Sequence, residues 1–192
     1  PVTPSNLVCR LLLEKKKYTE DMCVSPDTVY GKSKLEGEKF LQAACHQYII
    51  IRTSWLYSSY GNNFVKTMLR LGKEKDSLNV IFDQIGTPTY AADLAASILK
   101  ILSQNKFISG IYHFSNEGVC SWYDFATAIF KIAQINCQVN PIETKDYPAK
   151  APRPYYSVLN KAKIKNSFGL SIAHWEESLE KCIEILKSEN SF

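Results

Sequence analysis

The spacing of apolar residues along the chain predicts helices that alternate with strands. Residues 28–46 carry apolar positions at helical spacing, and Ser25-Pro26 just before them is typical of a helix start. Residues 48–53 (YIIIRT) form a nearly continuous apolar run, which is typical of a strand buried on both faces of a parallel sheet. Such a helix and strand make half of a right-handed α/β unit. The helix positions predicted to face inward are Leu35, Leu41, Ala44 and Cys45.

The rest of the chain continues this alternation. Ser121 with Asp124 predicts a variant of the capping box at a helix start. Strands alternating with helices favour an α/β fold. The further helices are predicted over residues 63–73, 93–102, 121–133 and 172–186, and the further strands over residues 78–82 and 108–114. A proline-rich loop is predicted around Pro141, Pro148, Pro152 and Pro154.

Composition narrows the class of protein. The chain has 192 residues, 45% of them hydrophobic, which is enough for one large domain or two small ones. A net charge of +4 is too small to indicate nucleic acid or a membrane surface as a partner. We expect no membrane span and no signal segment. The six cysteines are scattered without a CxxC pair, which favours reduced thiols in a cytoplasmic protein.

Tyr30 and Lys34 are the first candidates for chemistry. Their spacing of four residues places both side chains on one face of the predicted helix. An ammonium group in that position favours the phenolate electrostatically. A phenol placed in this way can protonate a carbonyl oxygen while a hydride arrives at the carbon. The spacing alone is also compatible with an ordinary surface pair of tyrosine and lysine.

Further segments follow the Tyr30 helix in a characteristic order. They are RTSWLY (52–57), NFV (63–65), DQIGTPTYAAD (83–93), SWYDFA (121–126) and RP (153–154) with Ser157. With YGKSKLEGEK (30–39), this set resembles the dTDP-4-dehydrorhamnose reductases, a family of extended short-chain dehydrogenases/reductases that makes dTDP-L-rhamnose. The resemblance covers about residues 18–187. The tryptophan segment and the DQxGxPT segment distinguish this family from the sugar-nucleotide epimerases that share YxxxK.

The resemblance implies the catalytic and cofactor contacts. Tyr30 would donate a proton to the C4 keto oxygen of the dTDP-4-dehydro sugar. Lys34 would assist Tyr30 and hydrogen-bond the nicotinamide ribose, so both residues would also contact the cofactor, NADPH or NADH. Trp55 would pack its indole against the deoxyhexose ring. The alternative for Trp55 is core packing at the end of a strand.

The resemblance also implies a set of residues that bind the substrate. Arg153 would pair with a phosphate, since its planar fork suits that group; a surface salt bridge is the alternative. Trp122 is expected to seat its helix against the sheet. The remaining substrate-binding residues are Asn63 and Phe64 near the nucleotide, and Gln84, Gly86, Pro88 and Thr89 in a loop along the diphosphate. The alternatives for these positions are a plain turn for the loop and helix core for Phe64.

The sequence departs from the family pattern in three places. It contains no GxxGxxG or GxGxxG turn for a cofactor pyrophosphate. Residues 6–14 (NLVCRLLLE) do not match the family segment that carries the Ser or Thr of the catalytic triad, and we assign neither Thr19 nor Thr28 in its place. Ala92 stands where some members have an acidic ligand for magnesium, so no metal is predicted.

We therefore expect an α/β fold made of a truncated Rossmann-like parallel sheet remnant and the C-terminal sugar-nucleotide-binding subdomain of an extended reductase. Residues 1–17 would form an atypical N-terminal segment, and residues 18–192 the C-terminal part of the reductase. The first functional hypothesis is NAD(P)H-dependent reduction of the C4 keto group, with this chain an incomplete and inactive fragment.

Two other hypotheses stay open. One is a non-catalytic sugar-nucleotide-binding or regulatory module on the same scaffold. The other is a different extended-family enzyme, such as an epimerase or dehydratase. The expected partner in the reductase is a dTDP-sugar substrate. A homodimer is also possible, because an exposed sheet edge invites self-association.

Overall fold

Helices and strands alternate along the computed structural model, which describes residues 17–26, 28–148 and 153–189. The predicted N-terminal segment, residues 1–17, lies outside this description except for its last residue, and so does Pro152. The helices are α1 (Val29–Ala44), α2 (Phe64–Glu74), α3 (Ala91–Leu102), α4 (Trp122–Ala133), α5 (Ala162–Phe168) and α6 (Trp175–Ser188). The strands are β1 (Ile49–Arg52), β2 (Leu56–Tyr57), β3 (Ser77–Ile81), β4 (Ile85–Gly86), β5 (Thr89–Tyr90), β6 (Gly110–His113), β7 (Cys120–Ser121) and β8 (Gln138–Ile142).

The strands pair two by two. β1 pairs in parallel with β6, β3 with β8 and β2 with β5, whereas β4 and β7 are antiparallel. The parallel pairs fit a chain in which helices connect successive strands. Among the described residues, no helix is both long and apolar enough to cross a membrane.

The buried side chains form two hydrophobic clusters. The larger one joins α2, α4 and α6 and includes Leu69, Ile129 and Leu179, each fully buried. The smaller one, with Tyr112 and Ile164, lies against β1 and β6. The described cysteines, Cys23, Cys45, Cys120, Cys137 and Cys182, are all free thiols.

The predicted burial of α1 and β1 is wrong. No residue of α1 is buried; Leu41 is 39% exposed, and Ala44 and Cys45 are exposed as well. Every residue of β1 is only half-buried. The physical reason is that β1 pairs on one side only within the described residues. Of the four predicted inward positions, only Leu35 is half-buried. The apolar pattern indicates a helix face that is suited to burial, but that face is buried only where another element packs against it.

The capping box is confirmed, whereas strand β8, helix α5 and the short strands β2, β4, β5 and β7 were not predicted. The Asp124 N–H donates to Ser121 Oγ (3.0 Å), and the Ser121 N–H donates to Asp124 Oδ2 (2.8 Å). The predicted loop around Pro141 is instead strand β8, in which Pro141 pairs with Val80. An edge strand tolerates proline because its unpaired side needs no N–H donor. Helix α5 was not predicted at all.

Candidate functional site

The 84–89 loop (Gln84–Thr89) is held to the protein on several sides. Its strand β4 pairs with β7, and its last residue begins β5, which pairs with β2. The Ile85 N–H donates to the Tyr155 carbonyl (2.8 Å), and the Ser157 N–H donates to the Ile85 carbonyl (2.8 Å). Backbone hydrogen bonds to these neighbours therefore hold the loop in a fixed position.

The side chains of this loop are used mainly to hold it in place. Thr89 is fully buried, and its hydroxyl donates to the Ser54 carbonyl (2.6 Å). Pro88 is also buried. Gln84 is 3% exposed, and its Nε2 donates to Thr144 Oγ1 (3.1 Å). Because Thr89 is buried and its hydroxyl is bonded to the Ser54 carbonyl, a bond to a ligand would require that hydroxyl to break this contact. The structure therefore gives Thr89 a supporting position.

Trp55 has the most unusual geometry of the predicted residues. Its φ is +48°, in the left-handed region that residues other than glycine seldom adopt. Its indole stacks on Trp122 with ring centroids 3.6 Å apart and planes 11° apart. A Cβ placed on Gly86 would lie only 2.6 Å from Cε2 of Trp55. Gly86 thus does permit a close approach, and the group that approaches it is this indole.

Two adjoining cavities open beside the stacked indoles. The first has a volume of about 490 Å³ and is lined by residues that include Phe64, Ile81, Tyr147 and Arg153. The second, of about 350 Å³, is lined by Trp55, Gln84, Trp122, Arg153, Pro154 and Ser157. Gln84, Trp122 and Arg153 line both cavities, which makes the two spaces neighbours. Predicted residues far apart in sequence meet here.

Trp122 is central to this arrangement, although the sequence assigned it only to helix seating. Besides Trp55, it contacts Phe64, with ring centroids 4.7 Å apart. The Arg153 guanidinium lies 5.9 Å from the Trp122 ring, within the range of a cation–π contact. Arg153 is exposed and stands at both cavities, where its charge is available to a phosphate.

Asn63 lies apart from these cavities. It caps α2: its Oδ1 accepts from the Lys66 N–H (3.2 Å), and its Nδ2 donates to the Ser58 carbonyl (2.7 Å). It lines a separate groove with Lys66 and Arg70. The structure therefore separates Asn63 from Phe64, the neighbour that does line the first cavity.

Tyr30 and Lys34 lie together on α1, as their spacing predicts. The Lys34 ammonium is 5.4 Å from the Tyr30 ring, and the tyrosine is 73% exposed. The hydroxyl of Thr28 accepts from the Gly31 N–H (3.1 Å), so Thr28 serves as the helix cap.

An ion pair joins α1 to the end of β1. Arg52 Nε and Nη2 donate to the two carboxylate oxygens of Glu38, at 2.8 and 2.6 Å. This hydrogen bond to Glu38 raises the pKa of Arg52. Lys34, Arg52 and His113 line a further cavity of about 370 Å³. Arg52 and His113 are the last residues of β1 and β6, and Trp55 follows Arg52 closely. Lys34 and Trp55 thus lie near the carboxyl end of the parallel strand β1, which is where ligands bind in α/β sheets.

A buried polar network supports the end of the 84–89 loop, and no sequence pattern indicated it. Asn116 Oδ1 accepts from the Tyr90 N–H (2.8 Å), and Asn116 Nδ2 donates to Asp93 Oδ2 (2.7 Å) and Ser178 Oγ (2.8 Å). Lys161, which is 5% exposed, donates to the Asn116 carbonyl (2.9 Å). Asp93 and Ser178, which are hydrogen-bonded to each other in this network, are 85 residues apart in sequence, so only the fold brings them together.

No group of metal-ligating side chains is found in the part of the chain that the structure describes. The sequence argument from Ala92 therefore stays a prediction.

Comparison with known proteins gives matches to a family model and to individual relatives. A family model described as the RmlD substrate binding domain matches residues 13–188. The spore coat polysaccharide biosynthesis protein SpsK of Bacillus subtilis is 44% identical over 167 residues, which are 87% of this chain and 58% of that protein. The dTDP-4-dehydrorhamnose reductase of Aggregatibacter actinomycetemcomitans is 47% identical over 174 residues, 85% of this chain and 59% of that protein.

Solved structures agree with the sequence matches. A crystal structure of dTDP-4-dehydrorhamnose reductase from Bacillus anthracis in complex with NADP has a TM-score of 0.84 and 44% identity, and the match covers 88% of this chain and 59% of that one. A dTDP-glucose 4,6-dehydratase from the same organism, at 15% identity and a TM-score of 0.76, shares the fold. The chain thus spans 58–59% of the length of these reductases and of SpsK. These matches confirm the α/β class, and the chain belongs to the RmlD substrate binding domain family.

Proposed function

We propose that this chain carries the sugar-nucleotide-binding part and the proton-donating helix of a dTDP-4-dehydrorhamnose reductase. The reaction is reduction of the C4 keto group of dTDP-4-dehydro-6-deoxy-L-mannose to dTDP-L-rhamnose by NADPH or NADH. One observation carries the proposal: the 84–89 loop, the stacked pair Trp55–Trp122 and Arg153 surround two adjoining cavities.

These cavities suit the chemical parts of a nucleotide sugar. Phe64 and Trp122 provide aromatic surface for a base or a sugar, and Arg153 provides a planar cation for the diphosphate. Trp55 lines only the second of the two cavities, which we therefore assign to the sugar end.

Tyr30 is the proposed proton donor. Its phenol protonates the carbonyl oxygen at C4, and the Lys34 ammonium, 5.4 Å from the ring, stabilises the phenolate that remains. When bound, a nicotinamide cofactor would supply the hydride to C4. Lys34 suits a hydrogen bond to the nicotinamide ribose, but the sequence offers no glycine-rich turn for the pyrophosphate. We therefore assign only this one end of the cofactor to residues of the chain.

The test uses a reductase that contains this chain, assayed by oxidation of NADPH with dTDP-4-dehydrorhamnose. Tyr30→Phe removes the phenolic hydroxyl that would donate the proton. This change is expected to lower kcat by roughly 100-fold or more, the usual contribution of a general acid. Tyr48→Phe is the matched control, because Tyr48 lies outside both candidate groups, and its turnover is expected to be unchanged. Normal turnover of Tyr30→Phe would contradict the proposed role.

A non-catalytic binding module on the same scaffold is the second candidate. The observation that favours it is that neither Tyr30 nor Lys34 lines the two cavities beside the stacked indoles. Binding of dTDP-rhamnose without turnover in the assay above would support this candidate. The division at residue 17, location in the cytoplasm and a homodimer remain predictions of the same hypothesis.

A further inference from the structure

The backbone contacts of Trp55 do not by themselves determine the orientation of its indole. The backbone of Trp55 is in the left-handed region, which a residue with a large side chain adopts only when its surroundings enforce it. The backbone is fixed on one side by the Thr89 N–H, which donates to the Trp55 carbonyl (3.1 Å). That bond sets where the main chain lies and leaves the rotation of the indole undetermined.

Trp122 provides the surface against which the indole rests. The two rings are nearly parallel, with centroids 3.6 Å apart, while the backbone of Gly86 lies against the edge of the Trp55 ring at Cε2 and Cζ2. The indole is therefore confined by an aromatic face and by a residue without a side chain.

Trp122 is itself held rigidly. It is the first residue of α4, directly after the capping box of Ser121, and β7 just before it pairs with β4 of the 84–89 loop. Gly86 and Cys120 are paired across these two strands. The two surfaces that confine Trp55 thus belong to one hydrogen-bonded unit, and their separation is fixed by backbone pairing.

We propose that Trp122 is a positioning residue for substrate recognition: its stack on Trp55 sets the orientation in which Trp55 packs against the sugar ring. This inference rests on the proposed function, and specifically on the sugar contact of Trp55. Trp122 also contacts Phe64 and lies beside Arg153. It therefore connects the first cavity with the second cavity, which is assigned to the sugar end.

The test measures the part of the affinity that the sugar contributes. Calorimetry of the chain with dTDP and with dTDP-rhamnose gives a ratio of Kd values that isolates the sugar, because the nucleotide is common to both ligands. We expect wild type to prefer dTDP-rhamnose by on the order of 10-fold, as one aromatic contact supplies. Trp122→Ala is expected to reduce this ratio to that of Trp55→Ala, and Trp122→Phe to restore part of it.

Two further measurements separate positioning from folding. In the double variant Trp55→Ala/Trp122→Ala, the ratio is expected to equal that of either single variant, because both changes remove one shared contact. Ile129→Val, in the core of the same helix, lowers stability and is expected to leave the ratio unchanged. The near-ultraviolet circular dichroism of the stacked indoles should be lost equally in either single alanine variant, while the signal of the third tryptophan, Trp175, remains.

The outcomes are distinguishable. A wild-type chain that prefers dTDP-rhamnose, together with a Trp122→Ala variant that keeps the full preference, overturns the positioning role and leaves the proposed function intact. If Trp122→Ala is unfolded, Trp122→Phe and Trp122→Leu decide between the same two results. A folded wild-type chain that binds neither ligand overturns the proposed function, and this inference with it.

Discussion

Adding one methyl group at Gly86 tests the close packing of the site directly. In Gly86→Ala the new Cβ would lie 2.6 Å from both Trp55 Cε2 and Ser157 Oγ, and 2.7 Å from Trp55 Cζ2. Carbon atoms in good contact are about 3.5–4.0 Å apart, so the indole must move by roughly 1 Å or the loop must shift. The indole cannot move freely, because Trp122 stacks on it.

The expected cost follows from that overlap. Overpacking by a methylene-sized group costs about 1–3 kcal/mol. The φ of Gly86 is not in the left-handed region, so alanine brings no backbone strain, and the lower entropy of the unfolded chain returns about 0.4–1 kcal/mol. The net loss is then about 1–2 kcal/mol, or a fall in Tm of roughly 2–8 °C for a chain of this length.

The assay is urea unfolding, followed by calorimetry with dTDP-rhamnose. Gly37→Ala is the matched control, because nothing lies within 4 Å of its added Cβ and the residue is exposed within α1. That change is expected to raise stability by about 0.5–1 kcal/mol through helix propensity. A Gly86→Ala variant with wild-type stability and wild-type affinity would refute the packing of Trp55 described above.

Three further predictions concern the supporting structure. Asn116→Ala leaves buried partners unsatisfied and is expected to lower the unfolding free energy by about 2–4 kcal/mol in urea, which an unchanged midpoint would contradict. Glu117→Gln leaves the buried Lys161 ammonium without its carboxylate and is expected to lower the unfolding free energy by roughly 3 kcal/mol. The surface variant Glu74→Gln is the control and should lower it by at most about 0.5 kcal/mol. Equal losses in the two variants would contradict this prediction. Burial lowers the pKa of His113, so below pH 6.5 the unfolded chain binds a proton that the folded chain resists. Unfolding free energy should therefore fall as the pH drops through this range, and His113→Gln should flatten the fall; a profile with the same slope in both proteins would refute it.

The elements that the sequence predicts well are those with a local physical signal. Periodic apolar residues located α2 and β3 within a residue or two, and the capping box at Ser121 depends only on groups three residues apart. The Tyr30–Lys34 pair is equally local, since helix geometry alone brings the two side chains to one face.

Long-range relations were harder to predict. Apolar spacing in α1 indicated a buried face, but burial depends on neighbours that the described residues do not supply. The DQxGxPT pattern marked the right loop without telling which of its side chains support the loop and which face a cavity; Thr89 proved to be buried. The stack of Trp55 on Trp122 joins residues 67 positions apart (122 − 55), and no periodicity encodes it.

Trp55 and its neighbours are proposed to form a sugar-nucleotide site within this chain. Calorimetric titration of the wild-type chain and of Trp55→Ala with dTDP-rhamnose tests this site. We expect micromolar binding by wild type and an affinity on the order of 10-fold weaker for Trp55→Ala, with both proteins equally folded by circular dichroism. Equal affinities in the two proteins, or no binding by a folded wild-type chain, would contradict it.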